Sequence, residues 1–437
     1  MNFNNKSLFL IVFLCLVENL FGESVRAQTL ERLVAEAVRN HPRLSAARAG
    51  AYGVQAEIEV AQAALRPKLN FSGGGGRGYS FASGGVSPGG DIVAQGSYPL
   101  YDGKRSLNEI SRQESRFSNA QQKADQIRDQ LVGSTTDAYI EVVKQEALVK
   151  LSAENVQAHQ SLMSKVLEIV QLDRGRAIDA TQVAVRLQQA KVNLNAQRNA
   201  LNEAKAALAD LLGRPDFEAT TVKDPTSALP KNLGEATTLL DNHPSIKAAR
   251  ADAKTSDYAA QIAAAWSKPK VDVLGTLSNP SSALNSRYFS NFDVRLGVQW
   301  SAFDGGAGRA AERAAELQKQ ASEEQVKVVL RELSTDVSRS WAQMQSREGR
   351  FTEFVDLSLR ARAVREAYWE QFRIGRRSIL DLLNAENEGF QATLSAEQVR
   401  QEMIQFQYRV LSSTGTLSKW LELDEPVVPS DAAAIKN

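Results

Sequence analysis

Asn291-Phe292-Asp293-Val294-Arg295-Leu296-Gly297-Val298-Gln299-Trp300-Ser301 alternates without a break. Successive side chains of an extended chain point to opposite faces, so Phe292, Val294, Leu296, Val298 and Trp300 share one side. Asp293, Arg295, Gly297, Gln299 and Ser301 take the other. An apolar face and a polar face over about ten residues match a strand that crosses a bilayer in a β-barrel. Upstream, Val271, Val273, Gly275 and Leu277 alternate with Lys270, Asp272, Leu274 and Thr276. Earlier in the chain, Ile92, Ala94, Gly96, Tyr98 and Leu100 repeat the pattern. The alternation by itself also fits a half-buried soluble sheet. The aromatic residues favour the membrane: Tyr98, Tyr101, Trp300 and Phe303 gather at one end of the strands, and Tyr79, Phe81, Tyr288, Phe289 and Phe292 at the other. Aromatic girdles flank the apolar band at a bilayer's two interfaces. Ile92, Val294, Leu296 and Val298 are therefore expected to face lipid.

These hairpins, about 68–101 and about 270–303, are two copies of one unit. Asn40-His41-Pro42 recurs as Asn242-His243-Pro244, and the shift from His41 to His243 is 202 residues. The same shift relates Ala46-Ala47-Arg48 to Ala248-Ala249-Arg250 and Tyr101-Asp102-Gly103 to Phe303-Asp304-Gly305. A register kept over half a chain marks a structural unit built twice. The expected division is a leader, 1–27, a first repeat, 28–230, a second, 231–423, and a loose tail, 424–437. His41 and His243 lie where one helix ends and a proline opens the next, which suits cap residues better than metal ligands.

Around each hairpin the sequence is helical. No proline occurs between Gly103 and Pro215 or between Gly305 and Pro426, and Gly133 is the only glycine between Lys104 and Arg174. A helix of about 70 residues is roughly 105 Å long, far more than a compact domain needs. Leu187, Ala190, Leu194, Leu201, Ala204, Leu208 and Leu211 follow a coiled-coil spacing. Their counterparts, including Gly389, Ala392 and Ala396, are small enough for close helix approach. Amides such as Gln188, Gln189, Asn193 and Asn195 lie on other faces and suit either a wetted wall or an ordinary solvated surface.

Lys6, an apolar run from Leu8 to Val17 and small residues before Gln28 form the layout of a secretory signal peptide. The single cysteine, Cys15, lies within it, so the exported chain relies on packing rather than disulfides. Fifty-two Lys and Arg balance 51 Asp and Glu, which gives no electrostatic reason to expect a nucleic-acid partner. Three histidines, His41, His159 and His243, and no nucleophile motif, phosphate-binding glycine loop or ligand cluster argue against an enzyme, a metal centre or a cofactor. No apolar run of about 18 residues follows the leader, so membrane insertion requires a closed barrel. Four strands cannot close one, since the smallest have about eight. Sharing between two copies gives eight strands and a filled interior, whereas three copies give twelve and a lumen.

On these features the chain resembles the TolC-like family of outer-membrane efflux and secretion channels. The resemblance covers nearly all of the chain after the leader. It rests on Asn242-His243-Pro244, the two strand-to-helix Asp-Gly junctions, Leu211-Leu212-Gly213-Arg214-Pro215, and the run from Phe372 to Ala385. It implies a mainly α protein with a membrane β-barrel portion, four strands per chain, and internally duplicated long-helix hairpins. It also implies a homotrimer in the cell outer membrane that extends into the periplasm, meeting a periplasmic adaptor (membrane fusion) protein and an inner-membrane transporter. Type I protein secretion is the expected task, with small-molecule efflux the alternative and a periplasmic structural coiled-coil adaptor the rival outside the channel class. By the same resemblance Asp381 and Asn384 ring the periplasmic entrance, Asp179 is the equivalent of Asp381 in the first repeat, and Arg377 and Phe372 match the links that hold the entrance shut. Two departures bear on the entrance. Phe372 lacks the hydroxyl of the usual tyrosine, and Gly175 to Asp179 is two residues shorter than Gly375 to Asp381. Ser378 to Asp381 also reads as a capping box, and Asp179 with Gln182 can be read likewise.

Overall fold

The computed structural model describes residues 29–80, 84–219, 222–279, 291–423, 425 and 427–428. The leader, Phe81, Tyr288, Phe289 and most of the tail lie outside the described residues. The elements run α1 (Leu30–Asn40), α2 (Pro42–Ala63), β1 (Lys68–Ser80), β2 (Gly85–Tyr101), α3 (Arg105–Leu172) and α4 (Ala177–Leu212). The second repeat gives α5 (Leu233–Thr238), α6 (Pro244–Ala264), β3 (Lys270–Asn279), β4 (Asn291–Gln299), α7 (Ala307–Arg373), α8 (Ile379–Ser413) and α9 (Leu417–Trp420). Helices α3 and α7, of 68 and 67 residues, meet the length expected from the missing prolines. Among the described residues no helix is long and apolar enough to cross a membrane.

The chain divides into two compact units, and each repeat contributes to both. One unit comprises Met1–Ser45, Ile127–Leu240 and Leu333–Glu425. Its main core joins Leu33 and Val34 of α1, Tyr139 and Ile140 of α3, Leu208 of α4 and Leu411 of α8. Gly133 has a packing reason: a Cβ there would stand 2.7 Å from Ser412 Oγ on α8. Tyr408 is also buried, yet its hydroxyl donates to the Lys223 carbonyl at 2.8 Å, which satisfies the polar end of a core ring. Burial raises its pKa well above the usual tyrosine value. Helix α4 ends at Gly213, whose φ of 72° suits the left-handed cap that the Leu-Leu-Gly-Arg-Pro signature calls for. Arg214 beyond it pairs with Glu36 at 2.9 Å. The hydrogen bond from Arg214 holds that carboxyl below its ordinary range. Along the seam, Ala190, Leu194, Ala204 and Leu208 are buried, but Leu212 replaces the expected Leu211 at the end because the helix turns Leu211 partly outward.

The other unit comprises Ala46–Gln126, Asp241–Glu332 and Pro426–Asn437. Its four strands form one antiparallel sheet in the order β1-β2-β3-β4. The histidine before α6 is a cap: His243 Nδ1 accepts from Ser245 N–H at 3.2 Å, and Pro244 opens the first turn. His41 Nδ1 accepts from Arg43 N–H in the same way. The second hairpin is shorter than its expected span, since β4 ends at Gln299 and Trp300 to Phe303 leave the ladder. The start of the tail is not loose. Val427 and Val428 are buried, and Val427 is held by Asp125 Oδ1 and Arg48 Nε at 3.0 and 3.2 Å.

Candidate functional site

The strand register decides which residues share a face. Leu69 pairs with Gly96 and Phe71 with Ala94. Ile92, Ala94, Gly96 and Tyr98 in turn stand opposite Asn279, Leu277, Gly275 and Val273. Val271, Val273, Gly275 and Leu277 meet Val298, Leu296, Val294 and Phe292. Cross-strand partners point the same way, so Ile92, Val294, Leu296 and Val298 lie on one apolar face that runs across all four strands. The reverse face carries Asn70, Ser72, Gln95, Ser97, Thr276, Asp293, Arg295 and Gln299, with Val93 and Leu274 as its apolar exceptions. One sequence expectation changes at the end of β2. The register slips between Pro99 and Tyr101, so Tyr101 rather than Leu100 stands opposite Val271. Proline lacks the N–H that the ladder would use there, which suits it to such an irregularity. Tyr98 and Tyr101 stay within β2, whereas the Trp300 indole N–H leaves the strand and donates to the Ser267 carbonyl at 2.9 Å. Phe303 is 87 % exposed.

The second group of predicted residues sits where the long helices turn. Helix α7 ends in a Schellman turn: Gly375 has a φ of 74°, and its N–H and that of Arg376 bond back to the carbonyls of Phe372 and Gln371. Helix α8 then starts at Ser378, whose Oγ accepts from Asp381 N–H at 3.1 Å and donates to Asp381 Oδ2 at 2.9 Å. The cap reading of Asp381 is therefore satisfied in this chain, while its side chain stays 44 % exposed. Arg377 folds back on its own hairpin. Its Nε donates to Gln371 at 3.1 Å, its guanidinium lies 4.1 Å from the Tyr368 ring centre, and Asp381 is at 3.9 Å.

Asp179 differs. No side-chain cap opens α4, and Asp179 instead accepts from Arg176 Nε at 2.9 Å. Its supposed capping partner, Gln182, has a buried Oε1 without a hydrogen bond. Phe372 is wholly buried, in a cluster with Leu162, Val166, Val183, Leu382 and Leu383. The position that the resemblance gives to a link is here a core ring, covered by the Arg176 guanidinium 4.8 Å from its centre. A phenyl group with no hydroxyl loses nothing by burial, which accounts for its place.

Sequence reasoning missed the connection between the two hairpins. Asn384 Oδ1 accepts from Arg186 Nη2 at 3.4 Å, joining α8 to α4. Beside it His159 is buried with Nδ1 unpartnered, and burial followed by the Arg186 charge lowers its pKa. Glu386 is pushed up by burial, an effect opposed by Arg365 at 3.7 Å. His159 occupies a position between the Val166–Val183 and Val156–Ala190 contacts of the α3–α4 seam. A histidine in a hydrophobic repeat was the available signal. A groove of about 520 Å³ near this layer is lined by Lys165, Trp369, Arg365 and Glu386.

The family model described as outer membrane efflux protein matches residues 33–214 and again 236–417. The chain belongs to that family. The outer membrane efflux protein BepC of Brucella suis biovar 1 (strain 1330) is 21 % identical over 405 residues, which cover 91 % of this chain and 88 % of BepC. Among solved structures, CusC superposes with a TM-score of 0.82 at 17 % identity, over 89 % of this chain and 92 % of CusC. The outer membrane protein VceC of Vibrio cholerae gives 0.77 at 17 %, over 88 % and 96 %. The fold is thus that of the outer membrane efflux channels, proteins of the outer membrane that conduct rather than catalyse.

Proposed function

We propose that three copies of this chain close a twelve-stranded barrel in the outer membrane and act as the exit duct of a tripartite export system. One observation carries the reading. The sheet has a continuous apolar face, yet β1 and β4 are edges that pair with no further strand among the described residues. In lipid, unpaired backbone groups each cost several kcal/mol, on the order of the price of a lost hydrogen bond without water to replace it. The edges are therefore completed by β4 and β1 of neighbouring copies, and three copies leave a lumen where two would not. Ile92, Val294, Leu296 and Val298 then face lipid, and Arg295 and Gln299 face water.

The helices extend the duct into the periplasm after export by the 1–27 leader. The two matches of the family model support a division into repeats 28–230 and 231–423. The turns near Asp179 and Asp381 form the entrance, where a periplasmic adaptor and an inner-membrane transporter engage. Type I secretion is the task we infer, on the Gly375-Arg376-Arg377-Ser378 and Gly175-Arg176-Ala177-Ile178 turns. Small-molecule efflux is the second reading, favoured by the likeness to BepC.

Three-fold symmetry brings three Asp381 carboxylates around one axis. A ring of carboxylates favours cations, and a polyvalent cation plugs it. In a planar bilayer, a trivalent cation on the periplasmic side should block the channel. Asp381→Ala should abolish the block, and Arg377→Ala should raise conductance by freeing the turn that Gln371 and Tyr368 now hold. Unchanged block and selectivity in Asp381→Ala, with only a lower melting temperature, would leave the carboxylate as a helix cap.

A further inference from the structure

We infer that the groove between α3 and α6 is a binding site for a soluble, phosphate-bearing small molecule. It measures about 340 Å³, and Lys247, Arg250 and Lys254 line one wall. Their spacing places all three on one side of α6. Ser111, Ser115 and Ser118 line the α3 wall at helical spacing of their own.

Two of the three cations have no carboxylate partner among the described residues, although the Lys254 ammonium stands 5.9 Å from the Tyr258 ring centre. Arg250 is paired with Asp241 at 2.9 Å, but neither Lys247 nor Lys254 has an ion pair among the described residues. Asp257, the acid three residues after Lys254 and so within reach of it on the helix, is bound by Lys319 at 2.9 Å and by Gln261 at 2.9 Å. Like charges four apart, as in Arg250 and Lys254, destabilise a helix slightly. Lys247 and Lys254, set on the same side of the helix with no carboxylate on either, form the kind of local conflict that marks a site. On the facing wall, Ser115 Oγ is committed to the Ser111 carbonyl at 3.0 Å. The Ser111 and Ser118 hydroxyls remain as neutral donors. Two ammonium groups and hydroxyl donors match the oxygens of a phosphate, while the Arg250 fork is held by Asp241 and adds only its charge. Glu114 lines the same groove, so it opposes an anion and limits affinity.

The position of the groove excludes two other occupants, an argument that rests on the trimeric-barrel reading. Helix α3 leaves β2 and α6 enters β3, which are neighbours within the sheet. Side-chain bonds give the helices the same order. Arg116 of α3 holds Glu57 of α2, Asn119 of α3 holds the Ala248 carbonyl of α6, and Ser256 of α6 meets Ser322 of α7. The order α2-α3-α6-α7 places the groove inside one copy, while copies meet at β1 and β4, so a second copy does not fill it. Tyr258, the lining residue closest in sequence to β3, is twelve residues before Lys270. On the other wall Ser111 is ten residues after Tyr101, so at about 1.5 Å per residue the groove begins roughly 15 Å from the sheet, beyond the headgroups.

The test is isothermal titration of the full chain, purified in detergent, with sodium pyrophosphate. Saturable binding is expected. Lys247→Gln/Lys254→Gln should weaken it about tenfold or more, since two charge-assisted contacts are lost. Glu114→Gln should tighten it, and Lys247→Arg/Lys254→Arg should retain it, which separates charge loss from misfolding. No saturable binding, or equal affinity in the double glutamine variant, overturns the proposal. So does binding to phosphatidylcholine vesicles containing phosphatidic acid, lost in the glutamine variant, without binding of pyrophosphate, because the source would then be lipid. The subunit mass measured on the same sample reports on the trimer separately, so a failure of either reading is recognisable.

Discussion

In the sheet, Phe71, Ile92, Val294, Leu296 and Val298 each leave more than half of their surface uncovered, whereas at the helical turns Phe372, Val183, Leu382 and Leu383 are at most 2 % exposed. The same residue types meet two solvents. At the turns, apolar side chains from α3, α4, α7 and α8 cover one another, Arg377 folds back on Gln371 and Tyr368 of its own hairpin, and Arg176 bonds Asp179 while covering Phe372 of the other. A single copy completes that core. In the sheet, neither the apolar face nor the outer backbone edges find partners among the described residues of one copy. The turns carry their own stability, while on the proposed reading the sheet depends on lipid and on other copies.

The largest expected effect falls on the sheet. Leu296→Arg should cost about 2–4 kcal/mol at mid-bilayer, met once in every copy, and should remove most of the protein from the outer membrane. Gln299→Arg should assemble normally. The reverse result in membrane fractionation would exchange the two faces.

At the turns, Phe372→Ala should cost about 3–5 kcal/mol, as emptied aromatic sites do. The cost should be local. Trypsin should cut faster at the turns, near Arg174 and Arg376, while the assembly remains intact in detergent. Loss of assembly with unchanged cleavage would place Phe372 outside the local core.

A smaller effect separates the regions by pH. His159 has a lowered folded pKa, from burial first and Arg186 second. The unfolded chain therefore binds the proton more readily, and stability present above pH 6.5 is lost as the pH falls below it. Glu386 acts with the opposite sign, since its raised folded pKa favours the protonated folded form as the pH falls toward 4.5. His159→Leu should flatten the decline of the helical melting transition below pH 6.5, and Glu386→Gln should steepen it at lower pH. Parallel curves for wild type and His159→Leu would remove the histidine from the account.

The contrast also sets what could be read from the chain. The strands were legible because a period of two is a one-dimensional signal, and both faces follow from parity alone. Among the described residues parity fails only at Pro99, where the slip puts Tyr101 opposite Val271. The long helices were legible from missing prolines, and His41 and His243 from their place before one. The turns were less legible, since duplication preserved their architecture and not their polar bonds. Asp381 is capped by Ser378, while its counterpart Asp179 pairs with Arg176. Arg186 to Asn384 joins residues 198 apart, and no local pattern announces such a bond.

The central claim is that the open edges of the sheet are closed by copies of the same chain. Mass measurement of the protein extracted from outer membranes in mild detergent tests it most directly, with β-structure verified in the same sample by circular dichroism. The account predicts a complex of three chains. Monomers that retain intact β-structure would contradict it.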